Sequence, residues 1–277
     1  LKLTVLVDNN TIIDRYYLGE PALSYFIEID GKKILFDTGY SDVFIRNAYK
    51  MNIDLTNLDY LVLSHAHLDH TWGLEPLVKM YTEEQLEGRM PNRAKLIGHP
   101  MIFASKTFTG SEEFGINVDK AKLARYFDFH LSQNPLWLTD KVVFLGEIPR
   151  ENNFEKNSIG EVLTEDGYVE DYNIDDSAIC VKLEEGIVIV TGCSHSGICN
   201  IIEYAKKVCN NDNILDVVGG FHLQDAEEVM LNRTINYFAS QEINEVHPCH
   251  CTDLKAKMAL SEVVNVKEVG VGLQITY

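Results

Sequence analysis

A layered α+β protein is what this sequence predicts, on three observations. Short apolar or β-branched runs recur along the chain, and amphipathic stretches of helical length fall between them. Side chains able to hold a metal ion gather where several of the strands end. The 277 residues, 45% of them hydrophobic, suffice for a sizeable core. They are read as a single domain, 1–277, with an inserted cap region at about 75–138.

The elements follow in order. Residues 3–7 alternate and are β-branched enough for a strand that stops at Asp8, Asn9 and Asn10. Residues 24–29 and 33–36 flank Asp30-Gly31, a hairpin signal, and the second strand runs into Asp37-Thr38-Gly39. Residues 41–49 read as a helix with Ser41 as its cap and Val43, Phe44 and Ala48 as its apolar side. Leu61, Val62 and Leu63 then make a short buried strand. Its end presents His65, His67, Asp69 and His70, followed by Gly73. Any one of these histidines alone would be an ordinary hydrogen-bonding residue. Four imidazole or carboxylate donors in six residues point instead to a divalent ion: zinc first, with manganese, iron or nickel as alternatives.

The region 75–138 is longer than a simple strand–helix crossover needs. Residues 83–87 are expected to be helical, 94–98 a strand ending at His99-Pro100, and 119–126 another helical turn or two. Phe103, Phe108, Phe114, Tyr126, Phe127, Phe129 and Trp137 give it an aromatic character. Such rings suit a cap that holds a flat substrate, and equally a small private core. His99 and His130 are candidates for a pocket wall.

Residues 142–145 form the next expected strand, leading to Glu147 and Arg150. Arg150 suits bidentate pairing with a phosphate or carboxylate of a substrate; the alternative is a salt bridge with local acids. The acidic stretch 160–176 reads as a solvated loop or hairpin, with Asp175 and Asp176 placed to shape a site. Residues 181–183 and 186–190 make a hairpin around Glu184-Glu185 that runs into TGCSHSGI, residues 191–198. A helix over 197–208, capped by Ser194 or Ser196, precedes a strand at 215–218 that closes in Gly219-Gly220-Phe221-His222. Glycines there favour His222 facing a cleft, where an imidazole is able to shuttle a proton. A helix over 227–240 and a short strand ending at Val246 lead to HPCHCTD, residues 247–253. His247 is expected to be structural, Asp253 a helix cap, and 269–277 strand or coil. Cys249 and Cys251 are too few for a structural zinc site and read equally as small buried hydrophobes.

His-Ala-His-Leu-Asp-His at 65–70 resembles the H-x-H-x-D-H signature of the metallo-β-lactamase superfamily, and TGCSHSGI with HPCHCTD narrows the likeness. They resemble the branch holding dihydropterin–ribofuranosylaminobenzene-phosphate synthases. The resemblance covers essentially the whole chain and implies a four-layer αββα sandwich. It also implies two divalent ions, with His65 and His67 on one and Asp69 and His70 on the other. By position His250 matches the C-terminal histidine of the second ion, and Asp37 the acid standing behind the site that orients a ligand, although Asp37 also reads as a plain turn residue. Two departures stand out. The usual P-G-H turn histidine is missing near Glu147, so either Glu147 or His195 supplies that ligand, with His195 preferred. Where the family ends a strand in T-G-D, this chain has Cys193, an inner-shell thiolate that widens the choice of metal.

The implied function is a dinuclear metal-dependent hydrolase of a small phosphorylated or ester substrate; the alternative is a transferase like the pterin synthase. Asp69, His222 and Arg150 are the catalytic candidates. Forty-two acidic against 24 basic residues, net −18, argue against nucleic-acid binding. They do not argue against a small anionic substrate, because a metal pair reverses the potential locally. The six cysteines crowd near histidines, as in reduced cytosolic proteins. No run approaches 18 apolar residues, and the first residues lack a signal peptide's pattern. A soluble cytoplasmic protein with no membrane partner is expected, and a homodimer is allowed.

Overall fold

A computed structural model describes residues 1–155 and 158–277, which divide into two compact units. Unit 1 comprises Leu1–Leu131, Gly160–Val169 and Val269–Tyr277; unit 2 comprises Ser132–Ile159 and Glu170–Glu268. Elements are numbered in chain order.

Unit 1 holds β1 (Lys2–Val7), β2 (Ser24–Ile29), β3 (Lys32–Phe36), α1 (Val43–Lys50), β4 (Tyr60–Val62), α2 (Leu68–Thr71) and α3 (Leu74–Leu86). It continues with β5 (Lys95–Gly98), β6 (Lys106–Thr107), α4 (Lys120–Leu123) and β7 (Asp128–Leu131). A hairpin of β10 (Glu161–Thr164) and β11 (Gly167–Glu170) and a last strand, β16 (Gln274–Thr276), complete it. Seven of these strands form one sheet in the order β16-β1-β2-β3-β4-β5-β7. The predicted hairpin joins β2 to β3, with Asp30 and Gly31 at φ 49° and 74°, the left-handed pair a two-residue turn requires. From β3 onward the pairing is parallel, so the ends of β3, β4 and β5 share one edge. The edge where parallel strands end is where α/β sheets build their sites.

Helices α1 and α3 bury Phe44, Ala48, Leu74, Leu77 and Tyr81 against Leu35, Leu61 and Leu96 of the strands. Each fully buried side chain of that size stabilises by about 1.5–3 kcal/mol. Helix α3 is far longer than the 83–87 expected. Pro76 looks like a breaker, yet it lies in the first turn, where a missing N–H costs nothing. Asp119 does cap α4, accepting from the N–H of Ala121 at 2.7 Å. The 75–138 segment supplies β5 and β7 to the main sheet and β6 to a three-stranded sheet ordered β11-β10-β6. Its aromatic rings divide between two uses. Phe127 packs on Tyr81 and Phe103 on Phe129, as a core. Phe108 instead stacks on Phe114 at 4.2 Å, and Phe114 in turn meets the ring of His67.

Unit 2 holds β8 (Leu136–Trp137), β9 (Val142–Phe144), β12 (Ala178–Lys182), β13 (Ile187–Thr191), α5 (Ile198–Cys209) and β14 (Ile214–Gly220). Helix α6 (Glu228–Ser240), β15 (Ile243–Cys249) and α7 (Leu254–Ser261) follow. Its sheet runs β15-β14-β13-β12-β9-β8, with β13, β14 and β15 parallel. Ile198, Ile201, Ile202 and Ala205 of α5 pack with Phe238 of α6 against Ile189 and Val217. Once again three parallel strands end together, at Thr191, Gly220 and Cys249. Gly219 and Gly220 permit that convergence. A Cβ on Gly219 would lie 2.2 Å from the carbonyl oxygen of Thr191, and one on Gly220 2.6 Å from Cys251 Sγ.

Candidate metal-binding residues

In unit 1 the donors after β4 are held by a buried acid on β3's turn. Asp37 sits at φ 55°, strained backbone for an aspartate, and is fully buried. Its Oδ1 accepts from the Ser64 N–H at 2.7 Å, and its Oδ2 from the Ser64 hydroxyl at 2.7 Å. Oδ2 also bonds His70 Nδ1 at 2.7 Å. A carboxylate only accepts, so His70 carries its proton on Nδ1, and Nε2 is the ring nitrogen that keeps its lone pair. Because the Ser64 hydroxyl spends its one proton on Asp37, it accepts from His65 Nδ1, 2.9 Å away. His65 is thereby also set to present Nε2.

The three rings are close and buried. His65 lies 4.5 Å from His67 and 4.2 Å from His70, centroid to centroid. Asp69 Oδ2 stands 3.7 Å from His70 Nε2. The backbone of the turn is pinned too: Thr38 donates from N and Oγ1 to the His70 carbonyl, and Thr71 Oγ1 to those of Ala66 and His67. Gly73 closes the motif because a Cβ there would fall 2.0 Å from the Thr38 carbonyl oxygen. His99 is buried at the end of β5, its Nδ1 accepting from the Met101 N–H. His130 is exposed on β7.

In unit 2 the donors come from three strand ends. Cys193 and His195 follow β13, His222 follows β14, and His250 and Cys251 follow β15. The rings of His195 and His222 meet edge to face at 4.4 Å. The His222 N–H donates to Cys251 Sγ at 3.3 Å, and Cys251 Sγ donates to the Cys193 carbonyl at 3.4 Å. Burial would raise the Cys251 thiol, but hydrogen bonds with Cys193 and His222 and the nearby imidazoles outweigh it and hold it well below the usual thiol range. Ser194, His222 and His250 all take left-handed backbone, with φ of 61°, 50° and 52°. Ser194 Oγ steadies this turn by donating to the Gly220 carbonyl at 2.6 Å.

The loop carrying His195 is clamped on both sides. Asp176 Oδ2 accepts from the Ser196 N–H at 2.8 Å and its hydroxyl at 2.6 Å. Burial pushes the Asp176 carboxyl up to about 6 against the pull of those bonds. Neither Ser194 nor Ser196 caps α5. Glu155 does, its carboxylate accepting from the N–H groups of Cys199 and Asn200 at 3.0 and 3.1 Å. Burial also raises the Glu155 carboxyl. Arg150 spends Nη2 on the carbonyls of Tyr172 and Asn173, so a bidentate grip on phosphate is closed to it. Glu147 is exposed, and His247 is a buried partner of Asp216 at 2.7 Å.

Sequence reasoning passed over three residues that shape these arrays. Ser64 lies beside His65 and carries a hydroxyl, a signal adjacency alone offers. Glu155 gave none, being 44 residues from the amide it caps. Cys251 had been given equal standing as a buried hydrophobe.

Comparison with known proteins follows the same lines. The family model of the metallo-β-lactamase superfamily matches residues 18–206. The uncharacterized protein MJ0448 of Methanocaldococcus jannaschii is 33% identical over 264 residues, covering 95% of both chains. The 7,8-dihydropterin-6-methyl-4-(β-D-ribofuranosyl)-aminobenzene-5'-phosphate synthase of that organism is 30% identical over 279 residues, covering 95% of this chain and 91% of its own. Among solved structures, Tm1679, described as a metal-dependent hydrolase of the β-lactamase superfamily, matches with a TM-score of 0.83 at 26% identity, covering 100% of this chain and 98% of its own.

Proposed function

Since the chain belongs to the metallo-β-lactamase superfamily and has its α+β fold, we propose that it is a dinuclear metal-dependent hydrolase of a small phosphorylated or ester-containing substrate. On the superfamily's pattern, His65, His67, Asp69 and His70 of unit 1 are assigned as metal ligands, as are Cys193, His195 and His250 of unit 2. Histidine, carboxylate and a single thiolate suit zinc, and manganese, iron and nickel remain within the donors' range. Two such ions, when bound, lower the pKa of water and neutralise charge on an oxyanion. The chain's own residues do the rest. Asp69 orients the attacking water, His222 moves the proton to the leaving group, and Arg150 binds an acceptor on the substrate.

The observation that carries this reading is the pair of hydrogen bonds setting His65 and His70 to present Nε2. Purely structural histidines have no need of that shared orientation. A second reading, a pterin-joining transferase, is favoured by the 30% identical synthase, in which case the ions would hold phosphate while another nucleophile attacks. Metal analysis of the purified protein, followed by a phosphodiester and lactone panel with the metal found, tests both. The hydrolase reading expects about two ions per chain and turnover on at least one class. Metal-loaded protein that turns over nothing, yet binds a pterin tightly, would move the assignment to the transferase.

A further inference from the structure

All six cysteines are free thiols, and two of them meet in the core of unit 2. Cys180 lies on β12, a central strand that pairs it with Val143 of β9 on one side and Ile189 of β13 on the other. Cys209 is the last residue of α5, just before Asn210 ends the helix in left-handed backbone at φ 47°. The two side chains converge, with Sγ to Sγ at 3.3 Å, and both residues are buried, at 0% and 1% exposure. Carbon atoms in ordinary packing stand about 3.5–4.0 Å apart, and sulfur is the larger atom. A disulfide needs about 2.05 Å, so an approach of about 1.3 Å joins these two sulfurs.

Reactivity is unequal across the pair. Lys182 donates from Nζ to the Cys209 carbonyl at 3.1 Å, which sets its ammonium beside this thiol. The hydrogen bond with Cys180 and that charge bring the Cys209 thiol below its usual range, against the effect of burial. The same bond and burial raise the Cys180 thiol. Cys209 is thus the attacking thiol and Cys180 the resolving one.

We propose that Cys180 and Cys209 form a modification site, at which a low-molecular-weight disulfide oxidises the pair to an internal disulfide. The Cys209 thiolate attacks one sulfur of oxidised glutathione and expels a glutathione thiolate, leaving glutathione bonded to Cys209. Cys180 gives up its proton and attacks the Cys209 sulfur, expelling the second glutathione thiolate. The two protein thiols lose two electrons, and one small disulfide becomes two thiols. Both cysteines are buried in the folded chain, so the exchange belongs to the assembly of unit 2 or to opening of the last turn of α5. Once the bond has formed, the same burial keeps reductants from it. The link spans 29 residues and encloses β13, the turn carrying Cys193 and His195, and α5. Closing a loop of that length stabilises the fold by restricting the unfolded chain.

The test refolds the reduced, denatured full chain in a glutathione redox buffer with a chelator present, so that no metal competes for thiols. Alkylation and peptide mapping by mass spectrometry then read the pairing. The expected result is a linked peptide joining Cys180 to Cys209, two hydrogens lighter than the reduced peptides, with the other four of the six cysteines alkylated. The oxidised protein should melt about 5 to 10 °C above the reduced protein. Cys209→Ala should abolish both the linked peptide and the dependence of melting on redox state, and Cys180→Ala serves if that variant does not fold. Six alkylated cysteines, a different pairing, or an oxidised protein that melts no higher than the reduced one overturns the proposal. Because metal is withheld throughout, neither result depends on the hydrolase reading.

Discussion

The two units carry their donors in opposite ways. Unit 1 places His65, His67, Asp69 and His70 on one turn and fixes two of the rings through a single acid, Asp37, and a single hydroxyl, Ser64. Unit 2 draws Cys193, His195, His222, His250 and Cys251 from three strand ends and holds them through distant clamps and left-handed backbone. Rigidity in the first comes from hydrogen bonds packed into one motif. In the second it comes from glycines that let three strand ends converge and from acids brought in from 20 to 44 residues away. A compact array concentrates its vulnerability in a few residues, and a dispersed one spreads it.

The largest effect is expected where the compact array touches backbone directly. Gly73→Ala puts a methyl 2.0 Å from the Thr38 carbonyl oxygen, with no flexible side chain to give way. It should cost about 3 kcal/mol or more, read by urea unfolding, or prevent folding. A near-neutral result would mean that the turn is looser than its contacts imply.

Next comes a pH effect in unit 2. The folded Asp176 carboxyl, raised by burial to about 6, keeps its proton more tightly than in the unfolded chain, where 3.8 applies. The folded state therefore binds more protons between these values, and stability falls as pH rises from about 4 to 6, then levels off. The full contribution is about 3 kcal/mol at most, with the raised Glu155 acting in the same direction. Asp176→Asn should flatten that slope relative to the parent in denaturation series at each pH; an unchanged slope would assign it to other groups.

Asp37→Ala tests the compact array's dependence on one acid. Metal affinity should fall by about 10- to 100-fold, measured by chelator competition, because the Asp37 bonds to His70 and to Ser64 disappear together. In unit 2, Ser194→Ala removes one of several supports for its turn and should cost only about 1 kcal/mol of stability, with metal affinity changed less than in the Asp37 variant. Equal losses of affinity would erase the contrast between the arrays. The smallest change is a shift in preference: Cys193→Asp should favour manganese relative to zinc by about tenfold in competition, as an oxygen donor replaces a softer thiolate.

The same contrast governs what the sequence made legible. The β2–β3 hairpin, the strand before His65 and the helix after Gly197 follow from turn residues and apolar periodicity within a short window. Unit 1's donor cluster was legible for that reason, since its members are neighbours in sequence. Helix α3 was read too short because Pro76 carries the same signal whether it starts or breaks a helix. The clamps on the His195 loop were less accessible. Asp176 could be suspected of shaping a site, but its bond to Ser196 crosses 20 residues, and nothing local distinguishes Glu155 from its acidic neighbours.

Ser64 has one proton to give, and that small fact ties two rings together. Its hydroxyl points at Asp37 and so answers His65, while the same carboxylate oxygen answers His70. The rotor acts as a common selector: turn it away from Asp37, and His65 loses its reason to expose Nε2 while His70 keeps its own. Replacing Ser64 with alanine would uncouple the pair, removing the bond at His65 Nδ1 while the bond at His70 Nδ1 stays. A hydroxyl outside the candidate donor set thus decides whether two imidazoles behave as one device or as two.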